Sequence, residues 1–217
     1  MARGLNYDNK ILAIVNAVVD MIILGIFWFV TSIPIFTIGA STSAVYYTIN
    51  KCIRNRKSYT YVEYWKAFKS NFKQSTKAWL IWLVPAAFLV ADCFIMKQQL
   101  EDGSPLGVMY YFFLVLAAAA LAWAFYLFAY MARFKCTVKE ALKKSLFMMI
   151  ANLGWSIVLV VVFLFILFWC RDIMSLFVLF PGGFGAVKNY ILEKVFKKYR
   201  TPEDIAKELE ENRTYAS

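Results

Sequence analysis

From Ile11 to Asn50 the chain runs for 40 residues with one charge, Asp20. A helix that crosses a bilayer needs about 20 mostly apolar residues to pass a hydrocarbon core of about 30 Å. At about 1.5 Å per residue the run is roughly twice that length. A single crossing cannot use it all, so the chain must turn inside it. The turn is marked at Thr31-Ser32-Ile33-Pro34. Pro34 has no N–H, and it disfavours the helical conformation at Ile33. The expectation is a span over 11–31, a tight turn at Ser32–Thr37 and a returning helix over 38–53. The alternative is one span followed by a re-entrant segment.

Further apolar runs repeat the pattern. Ala78–Met96 contains only Pro85 and Asp92 as interruptions. Ser104–Ala132 is uncharged for 29 residues, and Ser145–Cys170 for 26. Ile173–Val187 is uncharged for 15 and holds Pro181-Gly182-Gly183. That last run spans only if its helix continues through Tyr190, Ile191 and Leu192 with Lys188 snorkelling to the interface. The chain thus reads as an all-α, polytopic transmembrane bundle over residues 1–200. Its spans are expected near 11–31, 38–53, 78–97, 105–132, 146–170 and 173–192, with five spans as the alternative to six.

Composition agrees, with 61% hydrophobic residues, 18% charged and a mean hydropathy of +0.57. Average soluble domains are nearer 45–50% apolar and about 25% charged. There is no histidine. That excludes Ser-His-Asp and Cys-His catalysis, HExxH zinc sites and His-ligated haem. Walker A, GxGxxG and GxSxG patterns are also missing. The expectation is a protein that is not an enzyme and holds no metal or cofactor.

Charge between the runs sets orientation. Residues 51–77 carry eight Lys/Arg against Glu63, and residues 133–144 carry five against Glu140. The positive-inside rule places both segments and the C-terminal tail in the cytoplasm. Six spans place the N-terminus there too, and Arg3 and Lys10 against Asp8 lean the same way. The first apolar run is too long for a cleavable signal peptide and reads as a permanent anchor. These two loops account for the net charge of +10 through orientation and contact with anionic lipid rather than with nucleic acid.

The basic segments also carry structure. Thr60-Tyr-Val-Glu63 and Thr137-Val-Lys-Glu140 both match the capping box. After the first, Val62, Trp65, Phe68 and Phe72 share a helical face and Lys66, Lys69 and Lys73 the other. Amphipathic helices are therefore expected near 60–74 and 137–147, lying at the membrane interface. Trp65, Phe68, Lys69, Phe72, Glu140 and Lys143 are their candidate partner-docking residues. Thr201-Pro-Glu-Asp204 opens a short cytoplasmic tail helix within 201–217.

Within the spans, Asp20 is costly at mid-membrane, and Asn16 lies one turn before it. Thr37-Ile-Gly-Ala-Ser-Thr-Ser43 is dense in small residues, which let helix backbones approach. A helix starting at Gly39–Ser41 would also present free N–H groups. Asp20, Asn16, Thr37, Gly39 and Ser41 therefore form a candidate intramembrane polar site. Helix breaks at Pro34 and Pro181 would suit a transporter path. Asn152 and Ser156 read as interhelical glue, Trp79 and Trp82 as interface anchors, and Asp92 as a boundary residue. Cys93 and Cys170 fall near the outer face, where pairing is an option.

Ser32-Ile-Pro-Ile-Phe-Thr-Ile-Gly-Ala-Ser-Thr-Ser-Ala-Val-Tyr-Tyr47, within Phe29–Asn50, resembles the YesL family (DUF624) of bacterial membrane proteins. Tyr64-Trp-Lys-Ala-Phe-Lys-Ser-Asn-Phe-Lys-Gln-Ser-Thr-Lys-Ala-Trp79 resembles that family's next block. The resemblance implies a multi-pass protein of a bacterial plasma membrane, typically Gram-positive. Its genes often neighbour carbohydrate ABC importer genes, and the family brings no catalytic residues. The expectation drawn from it is an accessory component touching an importer's permease or ATPase. Glu140-Ala-Leu is comparable with the coupling-loop Glu-Ala-Ala of ABC permeases, without the glycine expected after it. The other expectation is a small transporter or channel working alone through Asp20 and the two breaks.

Overall fold

The computed structural model describes residues 10–54, 59–134, 136–172 and 176–199. The N-terminal charges Arg3 and Asp8 and the tail helix expected from Thr201 lie outside the described residues. Within them the fold is all-α, with seven α-helices: α1 (Lys10–Ser32), α2 (Ile38–Thr48), α3 (Thr60–Glu101), α4 (Met109–Arg133), α5 (Val138–Ala151), α6 (Leu153–Asp172) and α7 (Leu176–Phe196). Among the described residues, four helical stretches are long and apolar enough to cross a membrane: Val15–Ser32, Thr60–Glu101, Pro105–Arg133 and Leu153–Cys170.

The first break falls where Pro34 requires it. α1 stops at Ser32, and a short 3₁₀ turn, Ile35–Thr37, leads into α2. The carbonyls freed at the end of α1 are taken up locally. The Thr37 hydroxyl donates to Thr31 O at 2.5 Å, and Thr37 N donates to Pro34 O at 2.8 Å. α2 then passes without interruption into a π-helical turn, Ile49–Arg54.

α2 is the buried axis of the fold. Ala40, Ser41, Ser43, Ala44, Tyr46 and Thr48 are wholly enclosed, with α1, α3, α4 and α7 packed around it. Gly39 makes this possible. A Cβ there would sit 2.6 Å from Trp79 Cβ and 2.8 Å from both Phe128 Cε1 and Ser75 O. The small-residue run is thus a packing device that lets α2 meet α3 and α4 at backbone distance.

The second expected break is absent. α7 continues straight through Pro181-Gly182-Gly183. Pro181 is the sixth residue of the helix, so the helix forgoes one backbone hydrogen bond there without ending. The glycines serve contact instead: Gly182 lies against the backbone of Met21 on α1, and Gly185 against Val45 on α2 and Ile49 of the π turn. Lys188 does not snorkel either. It is 3% exposed, because α7 is an inner helix packed by α1, α2, α4 and α6.

Three other boundaries move. The expected amphipathic helix near 60–74 and the span 78–97 are one unbroken helix, α3, of 42 residues. The expected span 146–170 is divided at Asn152, where α5 ends and α6 begins. Thr60 does not cap α3. Tyr59 is the N-cap residue and makes no side-chain capping bond, Thr60 falls one position inside the helix, and Glu63 pairs with Lys51 Nζ at 3.0 Å. Thr137 does form its capping box, with Thr137 N donating to Glu140 Oε2 at 3.0 Å and Glu140 N to Thr137 Oγ1 at 3.3 Å.

α3 spans two environments. Its first half packs on α2, and the Trp79 indole donates to Ile35 O at 2.9 Å, which fixes the α1–α2 turn beside residue 79. From there α3 runs 22 more residues, about 33 Å, and returns as α4 through the 3₁₀ turn Pro105–Val108. This hairpin is apolar on its outer faces, with Phe94 77% and Val115 67% exposed.

Candidate functional site

Polar side chains collect in two buried clusters around α2 and on one basic face. The first cluster joins α1, α2 and α3. Thr31 donates to Phe27 O at 2.7 Å, leaving its oxygen to accept from Tyr64 OH at 2.6 Å, with Ser41 Oγ 2.9 Å away. Ser41 Oγ in turn donates to Thr37 O at 3.1 Å. Two residues further along α2, Ser43 Oγ accepts from Ser75 Oγ at 3.2 Å and donates to Phe128 O at 3.4 Å. These hydroxyls bond to one another and to backbone, so the cluster acts as interhelical cement.

The second cluster joins α2, α4 and α7, and no single sequence motif points to it. Glu193 is 1% exposed. Its Oε1 accepts from Tyr46 OH at 3.2 Å and from Asn50 Nδ2 at 3.3 Å, and it lies 3.4 Å from Arg133 Nε. Asn189 Nδ2 reaches Tyr46 O at 3.5 Å. The π turn contributes here. It carries Asn50 towards Glu193 and the adjacent Lys51 towards Glu63, two directions from neighbouring residues. Lys188 completes the cluster without a carboxylate partner among the described residues. Its Nζ lies 5.7 Å from the Tyr46 ring centre and 6.0 Å from that of Phe184, so two ring faces surround the cation.

The structure divides the candidate intramembrane site named from sequence. Thr37, Gly39 and Ser41 come together at the start of α2 and are buried. Asp20 and Asn16 are not part of that hydrogen-bond network. Asn16 is exposed, and half-buried Asp20 lies within electrostatic reach of Cys52 at the other end of α2. The candidate docking residues fare differently from one another. Trp65, Lys69, Glu140 and Lys143 are exposed, while Phe68 and Phe72 are half-buried. The face of α3 turned inward is Thr60, Glu63, Tyr64 and Ala67, one step round from the expected Val62, Trp65, Phe68 and Phe72. Trp65, Phe68 and Phe72 stack edge to face along the outside, with centroids 5.9 and 5.4 Å apart.

Other single residues settle as follows. Asn152 Nδ2 donates to Tyr199 OH at 3.1 Å, and Ser156 Oγ to Tyr126 OH at 3.4 Å, as expected of interhelical glue. Trp82 is buried and donates to Ala120 O at 3.1 Å, so it locks α3 to α4 rather than anchoring at an interface. Cys93 and Cys170 are free thiols, as are Cys52 and Cys136. In the linker before α5, burial pushes the Cys136 thiol up to about 11. Hydrogen bonds from the Thr137 backbone and hydroxyl hold the Glu140 carboxyl below the usual carboxylate range.

Glu193 was hidden because charges after residue 188 read as tail. The available signal was spacing: Tyr46 and Asn50 are four apart on one helix, and Asn189 and Glu193 four apart on another. Each pair therefore shares a face.

Residues 21–93 match the family model described as Protein of unknown function, DUF624. The matched stretch runs from the middle of α1 through α2 into the second half of α3, and it contains the whole Thr31–Ser41–Tyr64 cluster. No curated protein and no solved structure matches the chain.

Proposed function

We propose that the protein is a non-catalytic accessory subunit of a larger membrane transporter. By the resemblance of 29–50 and 64–79 to the YesL family, the host is a carbohydrate ABC importer in a bacterial plasma membrane. The observation that carries this reading is the unbroken course of α3. Residues 60–77 extend about 27 Å beyond the apolar stretch that starts at Ala78 and lie alongside α1 and α2, with one face left uncovered. That half presents Tyr61, Val62, Trp65, Lys66 and Lys69 outward, a mix of aromatic and basic side chains suited to a protein partner.

The two buried polar clusters bind their own helices together, which suits a scaffold. A conduction path through Asp20 and two helix breaks has less to stand on, since α7 is unbroken. In this reading α2 and α7 are inner segments, both termini are cytoplasmic, and the basic segments face the cytoplasm. A tagged pull-down in mild detergent is the test. Importer permease or ATPase subunits should be recovered, and Trp65→Ala with Lys69→Glu should reduce their recovery. Recovery of no importer subunit would sink the accessory role. An effect of Asp20→Asn on solute flux through the protein reconstituted alone would restore the transporter reading.

A further inference from the structure

The exposed lysines next to the start of the apolar run form a second surface, independent of any protein partner. Lys73 and Lys77 are exposed on α3 just before Ala78, where the apolar run begins. α5 carries exposed Lys139, Lys143 and Lys144. Two bonds set α5 at the same level. Gln74 Nε2 donates to Cys136 O at its entrance, and Trp123 Nε1 donates to Ser145 Oγ at 3.0 Å. Trp123 lies one turn from Ala120, the partner of Trp82, so α5 crosses α4 close to the level of residue 79 on α3. None of the five lysines has a carboxylate within 4 Å among the described residues. Beside them lie exposed Leu80 and Ile81 on α3 and Leu146, Phe147 and Ile150 on α5.

Unpaired ammonium groups bordering exposed apolar side chains match a lipid, with its phosphate at the amines and its acyl chains on the apolar flank. We propose that Lys73, Lys77, Lys139, Lys143 and Lys144 form one binding surface for the headgroups of anionic phospholipids. Lys66 and Lys69 are excluded from it. They lie about 14 and 18 Å along the helix from Ala78, where the apolar run begins, and both distances exceed a Debye length of about 8 Å at physiological salt. A lysine at an anionic surface is worth about 1 kcal/mol, or roughly fivefold in binding.

Native mass spectrometry of the full chain, purified in neutral detergent and offered equal phosphatidylglycerol and phosphatidylcholine, tests this. The wild-type protein should retain phosphatidylglycerol preferentially. Replacing all five lysines by Gln should abolish the preference, and replacing all five by Arg should keep it. The pairs Lys73→Gln/Lys77→Gln and Lys139→Gln/Lys143→Gln, which disturb the fold less, should each weaken it severalfold. Lys66→Gln/Lys69→Gln should leave it intact. No preference in the wild type, an unchanged preference in both the Lys73/Lys77 and Lys139/Lys143 pairs, or an equal loss in the Lys66/Lys69 pair overturns the proposal. A failed importer pull-down bears on none of these outcomes.

Discussion

Residues 60–79 and 80–101 belong to one helix, yet they live in different surroundings. The first half is braced by specific polar contacts: Glu63 to Lys51, Tyr64 to Thr31, Gln74 to Cys136, Ser75 to Ser43. The second half leans on α4 and otherwise turns Ile81, Val84, Phe88, Phe94 and Ile95 outward. The difference teaches where specificity sits in such a chain. An apolar helix in lipid has no hydrophobic force pressing it onto a neighbour, so packing and hydrogen bonds must supply association. Those bonds are concentrated around α2, and the α3–α4 hairpin beyond Trp82 has few.

Substitutions around α2 should therefore cost far more than substitutions on the hairpin. The largest loss is expected for Glu193→Ala, which strips Tyr46 and Asn50 of a shared acceptor and Arg133 of its ion-pair partner. Breaking a buried ion pair from one side costs about 3–5 kcal/mol, read as a fall in unfolding temperature in neutral lipid. A near-neutral Glu193→Ala would mean the cluster is not a brace.

Gly39→Ala comes next. Its new methyl meets Trp79, Phe128 and the Ser75 carbonyl at 2.6–2.8 Å, and overpacking of this kind costs about 1–3 kcal/mol. A stable Gly39→Ala protein would show that α2 and α3 can separate without loss. Tyr64→Phe should be milder, about 0.6–1.7 kcal/mol, the range for one interhelical hydrogen bond in a membrane protein. At the bottom of the order, Phe94→Ala on the hairpin should stay within about 0.5 kcal/mol, as a substitution away from packed contacts does. If Phe94→Ala proves as damaging as Tyr64→Phe, the hairpin has a partner and the contrast fails.

The edge of α5 adds a pH-dependent term. The Glu140 carboxyl is depressed by bonds that exist only when α5 is folded at Thr137. Its contribution is therefore present at neutral pH, above the unfolded value. It is lost as the pH falls through the carboxylate range and below it. Amide exchange at the first turn of α5 should accelerate at acid pH in the wild type. In Thr137→Ala it should already be fast at neutral pH. A wild-type rate that follows only the intrinsic pH dependence would remove the capping box from the account.

The residues show why some of this was legible in the sequence and some was not. Pro34 ended a helix because nothing nearby needed the chain to continue. Pro181 did not, because Gly182 and Gly185 seat α7 against α1 and α2, a requirement that only the packed partners reveal. The two capping-box patterns read identically, but Glu140 is exposed and free to bond its own backbone, while Glu63 is captured by a lysine twelve residues away. Local rules hold at the surface and yield to tertiary contacts inside. Lys188 and Glu193 mislead for the same reason: charges near a chain end suggest solvent, but α7 is an inner helix. The apolar runs of α1, α3, α4 and α6, by contrast, were legible, since bilayer thickness constrains them without reference to any neighbour.

The continuity of α3 underlies the docking half, the lysine surface and the contrast itself. Electron–electron distance measurement between spin labels at Val62→Cys and Ile95→Cys tests it directly. The protein would be reconstituted in lipid, with its four native cysteines replaced. An unbroken helix places the two sites about 50 Å apart. A hinge near Lys77 that laid residues 60–77 flat on the membrane would shorten this to about 35 Å. A distribution centred near 50 Å is the expected result, and one centred near 35 Å would contradict the account.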